Sequence, residues 1–358
     1  MTSDWTLADV LREQAVNESW PKPRVSGHLP MIKAVARRAG LEYEESDRKV
    51  IFRRDGVIVG GLNGMLPHTT NWLAVRVCKS KQETRKVLAA SGVPVPVGEA
   101  FELNQMEESL RWAREFSGRL VVKPAHLEGG KGVVADIAAD DVPSAWRSCI
   151  EVIYAENTLK RRQGQILLEE YVPGLDIRCM VVANRMVAAT ARLAANVEGD
   201  GKSSIGRLIK KKNRIRRENP YLKGKLIRQD EWAESHLRRA GLDLDTVLPA
   251  GGIAWLSSAA NISQGGDGID VTTHLNSSIC AIAEAAISAI PGMDTGGVDL
   301  RVPSLFDAAG CAVIEVNTSA NIGVHHYPWR GKPQDVAGAW VESLYLVGAR
   351  GGDEGELR

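Results

Sequence analysis

A chain of 358 residues with 44% apolar and 25% charged residues is long enough for two or three packed subdomains and ordinary in composition for a globular protein. Its 45 basic and 44 acidic residues give a formal charge of +1, so no overall field draws in nucleic acid or an anionic membrane surface. The five cysteines (Cys78, Cys149, Cys179, Cys280, Cys311) are scattered without a C-x-x-C pair, which suggests neither a disulfide framework nor a zinc site and fits a reducing cytoplasm.

The opening MTSDWTLADVLREQ carries charges where a signal peptide needs an apolar stretch, and nowhere do about 18 apolar residues run together, so neither export nor a membrane span is expected. Residues 5–16 read as a capped polar helix, followed by a loop with Pro21 and Pro23. An amphipathic helix over 31–40 leads to strands at 49–53 and 57–61, joined by the hairpin signal Asp55-Gly56. These make a small α/β unit. A boundary is placed before Lys79, where KSKQETRKVLAASG reads as one helix stopped by Gly92 and the extended Val93-Pro94-Val95-Pro96. A strand at 99–101, a helix at 106–116, the apolar strand 119–124, a glycine-rich loop, a helix at 142–156 and a strand at 165–171 follow. Such alternation is α/β or α+β. Beyond Pro173-Gly174 strands dominate, at 176–183, 185–193 and 252–256. An Ala- and Ile-rich helix over 277–289 precedes two last strands at 297–302 and 311–317, and 350–358 read as a flexible tail.

Three places carry the residue types of a chemical site. Side chains alternate across a strand, so Glu315 and Asn317 share one face while Val316 takes the other. If the strand holding Asp299 lies alongside, hard oxygen donors converge as magnesium and nucleotide phosphates require; taken alone, the same residues read equally well as solvated strand-end acids. Lys123 ends the apolar run LVVKP, where a lysine is costly to bury unless an anion meets it. Behind it, Glu128-Gly129-Gly130-Lys131-Gly132 is either a loop whose N–H groups approach phosphate or a plain hairpin beside a lysine that reaches solvent. The third is LLEEYVPGLD, residues 167–176, whose carboxylates and backbone suit an adenine edge and ribose hydroxyls, or form merely a strand and turn.

Taken in order, the Lys81 helix, VPVP, VVKP with its glycine loop, LLEEYVPGLDIR, GVDL and IEVN resemble the ATP-grasp superfamily over about residues 79–345. Within it, ARLAANVEGDGKSSIGRLI, NISQGGDGIDVT and the His325-His326 region look like the ATP-grasp domains of cyanophycin synthetase and of bifunctional glutathione-forming enzymes. The resemblance implies an α+β fold with α/β-type subdomains. An amino-terminal pre-ATP-grasp unit would occupy 1–78, the central and nucleotide-lid subdomains 79–173, and a catalytic subdomain with a magnesium site 174–349. It further implies that Lys81, Lys123, Glu128, Gly129, Gly130, Lys131 and Gly132 meet ATP, and that Glu169, Glu170, Val172 and Asp176 hold adenine and ribose. Asp299, Glu315 and Asn317 would bind Mg2+, with Mn2+ as a substitute. Arg192 would neutralise charge on the transferring phosphoryl group, Arg178 would orient it or the substrate carboxylate, and Asn261 would belong to a loop holding the acyl-phosphate oxygens.

The activity implied is ligation of a carboxylate to an amine through an acyl phosphate, with release of ADP and phosphate. Amino acids or a small carboxylate and an amine would be the substrates, a γ-glutamyl dipeptide one candidate product, and a homo-oligomer the working form. A lid built from the 174–195 strands and the loops after them would exclude water. A non-catalytic ATP-binding regulator and a phosphotransferase are the rival readings. The cyanophycin and glutathione enzymes carry a second catalytic domain for which this chain has no room, so a single ligation is expected. Asn317 is followed by Thr318-Ser319-Ala320, where many relatives have N-x-x-P-G, and the acceptor pocket is expected to differ accordingly.

Some patterns mislead. Gly201-Lys202-Ser203 looks like the end of a P-loop, but Asn196 stands where its first glycine belongs. The basic run 210–217 lacks stacking aromatics and reads as a solvated helix face, turned toward an acidic substrate rather than nucleic acid. His325 and His326 have no partner at zinc spacing; His325 is expected to line the acceptor pocket and Trp329 to serve packing.

Overall fold

A computed structural model describes residues 14–20, 25–127, 130–156 and 164–350, with the side chains of the last helix described to Tyr345. Glu128, Gly129, most of the expected helix at 5–16 and the tail beyond 350 lie outside the described residues. Val16, expected as helix, instead forms an isolated bridge with Arg330.

Helix α1 (His28–Arg38) buries His28, Met31, Ile32 and Ala36 along one stripe, the spacing that gives an amphipathic helix. An antiparallel sheet follows, of β1 (Glu42–Ser46), β2 (Lys49–Arg54), β3 (Val57–Asn63) and β4 (Leu66–Pro67) in that order. Asp55 and Gly56 both adopt positive φ in the β2–β3 turn, as the Asp-Gly signal demands. Two helices, α2 (Trp72–Lys79) and α3 (Lys81–Ala90), stand where one was expected to start at Lys79. Ser80 separates them in an extended conformation, and its hydroxyl accepts from Glu83 N at 3.3 Å as the cap of α3.

A second antiparallel sheet is built from β5 (Gly98–Glu102), β6 (Leu120–Pro124), β7 (Val134–Ile137) and β8 (Gln165–Glu170), ordered β5-β8-β6-β7. Helices α4 (Met106–Glu115) and α5 (Val142–Glu156) cover it, with Trp146 buried among Leu120, Val122 and Leu168.

The third sheet holds β9 (Leu175–Val182) at its centre, between β10 (Arg185–Leu193) and a later strand. An excursion after β10 contains β11 (Asn196–Glu198), α6 (Ile205–Glu218), α7 (Glu231–Arg239) and β12 (Ile253–Trp255), with β11 and β12 paired. The chain returns as β13 (Asp267–Asp270), α8 (Ser277–Ser288), β14 (Gly296–Val302) and β15 (Ala312–Asn317), completing the order β13-β10-β9-β14-β15. A short α9 (Gly323–His326) and a long α10 (Val336–Arg350) follow.

Period two divides this third sheet cleanly. Ile177, Cys179, Val181, Ala189, Ala191, Val298, Leu300 and Val316 face α8 in one apolar core. The residues between them face the other way and carry the polar groups. This arrangement corrects the expected lid. Strands β9 and β10 are interior strands with fully buried apolar faces, and truncating one such residue, Ile177 for example, to alanine costs about 2–5 kcal/mol. They cannot swing open without breaking the core.

The amino-terminal sheet does not close a core of its own. Ile32, Phe52 and Leu62 pack with Met180 and Val182 of β9 and with Trp340, Val341 and Leu344 of α10. The Phe52 and Trp340 rings meet edge-on at 5.6 Å. Among the described residues no helix is long and apolar enough to cross a membrane.

Candidate functional site

Strand register lays a polar row across the third sheet. Thr190 of β10 faces Arg178 of β9, Arg178 faces Asp299 of β14, and Asp299 faces Glu315 of β15. Arg192, Asp176 and Arg301 form a second row two residues along, and Met180, Gly297 and Asn317 form a third on the other side. All point to the same face. Gly174, at φ 111, makes the turn into β9 pass against β14: a Cβ there would lie 2.4 Å from the Val302 carbonyl oxygen.

Arg178 donates from Nε and Nη2 to the two oxygens of Asp299, each at 2.7 Å, a bidentate pair. Arg192 donates from Nε to Asp176 Oδ1 at 2.7 Å and brings Nη2 to 3.0 Å from Asp299 Oδ2. Burial by itself raises the Asp299 carboxyl, but the two arginines outweigh it and hold the group at about 2. Asp176 differs: burial dominates there and pushes its carboxyl up, against the pull of Arg192. Burial lowers both guanidinium groups, yet Asp299 brings Arg178, and Asp299 with Asp176 brings Arg192, above the ordinary value. The cluster is a balanced quartet of two cations and two anions.

Glu315 stands outside the quartet, with Oε1 3.9 Å from Lys81 Nζ. Asn317 is one row along, its Nδ2 buried without a hydrogen-bond partner. Among the described residues no three His, Cys, Asp or Glu side chains form a metal cluster. The expected metal set consists instead of two carboxylates and an amide on neighbouring strands, all hard oxygen donors of the kind magnesium takes. The donor chemistry fits: Arg178 and Arg192 occupy three of the roughly four lone-pair directions of Asp299, two on Oδ2 and one on Oδ1, which leaves one on Oδ1 for a cation.

The second part of the site is a narrow cleft between the second and third sheets, lined by Lys81, Arg85, Pro96, Leu167, Glu169 and Ile314 among others. Lys123 and Glu169 are both almost fully buried and form an ion pair. The anion that a buried lysine needs thus comes from the protein itself. Lys81 donates to the Leu127 carbonyl at 2.6 Å, tying α3 to the start of the glycine loop. In that loop Gly130 and Gly132 have positive φ, and Lys131 points outward to Glu156 at 2.6 Å. Glu170 is half-buried on the edge toward Val97, and the Val172 carbonyl accepts from Arg301 Nε at 3.1 Å. Asn261 is engaged locally: its side chain accepts from Ser263 N at 2.9 Å and caps a short turn.

Two features escape the sequence reading, Arg85 and the burial of part of the basic run, and His325 is found inside the fold. Arg85, one turn after Lys81, reaches the cleft with Nη1 buried and unpartnered. The basic run is not wholly solvated, because Lys212 and Arg216, four residues apart, turn inward. Both grip Asp267, at 2.5 Å from Oδ2 and 2.8 Å from Oδ1, and Asn196 Nδ2 donates to Oδ2 at 3.0 Å. Spacing of i and i+4 within the run was the available signal. His325 is buried, its Nδ1 2.8 Å from Thr190 Oγ1 and its Nε2 without a partner. Burial, then Arg178, His326 and Arg192, pull it down to about 3, so it is a neutral imidazole beside the arginine row. Trp329 is buried as packing, with Lys212 Nζ 5.0 Å from its ring centre.

An α+β chain with its polar row on one face of an antiparallel sheet, opposite a cleft walled by a second sheet, has the ATP-grasp fold. It is related in sequence to the ATP-grasp domains of two kinds of enzyme. The cyanophycin synthetase of Trichormus variabilis is 29% identical over 339 residues, covering 93% of this chain and 36% of that protein. The glutathione biosynthesis bifunctional protein GshAB of Streptococcus thermophilus is 30% identical over 358 residues, covering 96% of this chain and 44% of that protein. In structure, the bifunctional glutathione synthetase from Pasteurella multocida matches with a TM-score of 0.67 at 22% identity, over 88% of this chain and 43% of that one. The chain therefore spans less than half the length of these relatives. No protein-family model matches it.

Proposed function

We propose that the protein is an ATP-dependent carboxylate–amine ligase that joins amino acids through an acyl phosphate. The observation that carries this reading is the quartet Arg178, Asp299, Arg192 and Asp176, with Glu315 beside it and within 3.9 Å of Lys81, which lines the cleft together with Arg85 and Glu169. Relatives named for cyanophycin and glutathione synthesis support a ligation between amino acids.

In the first step a substrate carboxylate oxygen attacks the γ-phosphorus of ATP. One P–O bond forms, the bond to ADP breaks, and negative charge gathers on the transferring oxygens. Arg192 and Arg178, already charged and fixed by Asp176 and Asp299, supply preorganised cations there without reorganisation at the moment of reaction. Lys81 brings a further cation, placed by the Leu127 carbonyl. A bound divalent cation supplies a Lewis acid for the phosphate oxygens, and Asp299, Glu315 and Asn317 are the residues that would hold it. In the second step an amine nitrogen attacks the acyl carbon, the C–O bond to phosphate breaks, and the nitrogen gives up a proton. The apolar wall of the cleft limits the water that would otherwise hydrolyse the acyl phosphate.

The test is release of ADP and phosphate with Mg-ATP against a matrix of amino acids offered singly and in pairs, with product masses read alongside. Release that requires a pair and yields their summed mass less water is the expected result. ADP release with a phosphorylated single acceptor as the only product would overturn the ligase in favour of a phosphotransferase.

A further inference from the structure

The outward side of α6 is a strongly charged surface that the proposed reaction does not use. Arg207, Lys210, Lys211, Arg214 and Arg217 are all exposed on this 14-residue helix. At 100° per residue they fall within an arc of about 120°, opposite the buried Ile205, Leu208, Ile209 and Arg216. None of the five has an ion-pair partner among the described residues. With a net charge of only +1 over the whole chain, this is a local concentration of charge.

The face is also rigidly mounted. Lys212 and Arg216 clamp Asp267 from the inner side of the helix, and the Asn213 side chain exchanges two hydrogen bonds with the Ile227 backbone, at 2.8 and 2.9 Å. The same clamp ties the helix to the site. Asp267 pairs in register with Leu193, and the next residue, Gly268, pairs with Arg192.

We infer that the exposed face of α6 docks a carboxylate-rich peptide. From Arg207 to Arg217 the face is about 15 Å long, the length of four or five residues of extended chain, two or three of whose side chains point the same way. Carboxylates at that spacing find a cation each. Nucleic acid fits less well, because α6 offers no aromatic ring on which a base could stack. That the docked peptide is a substrate rests on the ligase reading; the docking itself does not.

The test is fluorescence anisotropy of labelled hexaglutamate with the full chain in the absence of nucleotide, at about 50 mM and about 300 mM salt. Wild-type protein should bind the peptide and lose affinity as salt rises. The triple variant Lys210→Gln, Lys211→Gln, Arg214→Gln should bind about tenfold more weakly, about twofold for each exposed ion pair removed. Arg214→Glu alone should weaken it further than Arg214→Gln. Thermal melts matching wild type, and unchanged protection by Mg-ATP, would show that the variants fold. Absence of peptide binding at low salt, or equal affinity in the folded triple variant, would overturn the proposal. So would displacement of the peptide by polyphosphate or an oligonucleotide at a tenth of the concentration of unlabelled hexaglutamate. No nucleotide is present, so failure of the ligase reading would leave this outcome unchanged.

Discussion

Asp299→Asn keeps the shape of the side chain and removes its charge, so the amide is a permanent copy of the protonated acid. In the folded protein Arg178 and Arg192 hold this carboxyl at about 2 against an ordinary 3.8, even though burial acts in the opposite direction. At about 1.4 kcal/mol per unit, the depression contributes about 2–3 kcal/mol of stability at neutral pH. Because the folded value lies below the unfolded one, the contribution is complete above about pH 5 and shrinks as pH falls; about half remains at pH 3, and it vanishes below about pH 2. Urea unfolding of wild type and variant at several pH values from 7 to 3 measures it directly. The wild type should be more stable by about 2–3 kcal/mol at pH 7, with the gap closing as the medium becomes acidic. A gap that is absent at pH 7, or constant across the range, would show that the arginine quartet does not hold Asp299 as described.

Other consequences can be checked singly. Removing either Lys123 or Glu169 strands a buried charge at a cost of about 3–5 kcal/mol, whereas Lys123→Met combined with Glu169→Leu should recover most of that loss; a double variant as unstable as the singles would rule out the pairing. Gly174→Ala should cost about 2–4 kcal/mol, because the residue keeps a left-handed φ and its new methyl meets the Val302 carbonyl; a melting temperature equal to wild type would contradict that geometry. Glu315 has no arginine partner, so Glu315→Gln should leave the melting temperature nearly unchanged while cutting Mg-ATP turnover by about a hundredfold or more, and normal ADP release would remove Glu315 from the proposed chemistry.

The strands that carry the site are visible in the sequence because their polarity alternates. In LDIRCMVV the acid and the arginine sit two apart between apolar residues, which is the signature of a strand with one polar face. The lid expected from these strands is excluded by the structure, where the intervening Ile177 and Cys179 are buried in the core against α8. What the sequence does not contain is register. The meeting of Asp299 with both Arg178 and Glu315 follows only when β9, β14 and β15 are neighbours, and nothing local in any of the three specifies its partners. Local signals also failed where one residue decided the matter. Ser80 splits a helical pattern that reads as continuous, and β1, whose EYEES has a single apolar residue, gives no strand signal at all. Lys212 and Arg216 were taken for surface charges because charge normally is on the surface; only the acid on β13, over fifty residues later, explains their burial.

The packing of α10 on the first sheet has a consequence for how the protein comes off the ribosome. Phe52 and Leu62 are made well before Trp340, Val341 and Leu344, which cover them. Until Val336–Arg350 emerges, the nascent amino-terminal unit carries an uncovered apolar face through the synthesis of everything between. Contacts of such long sequence separation slow folding and leave a sticky surface waiting. Chaperone dependence during synthesis, and aggregation of fragments that stop before residue 336, are the cellular signs of a unit whose core waits for α10.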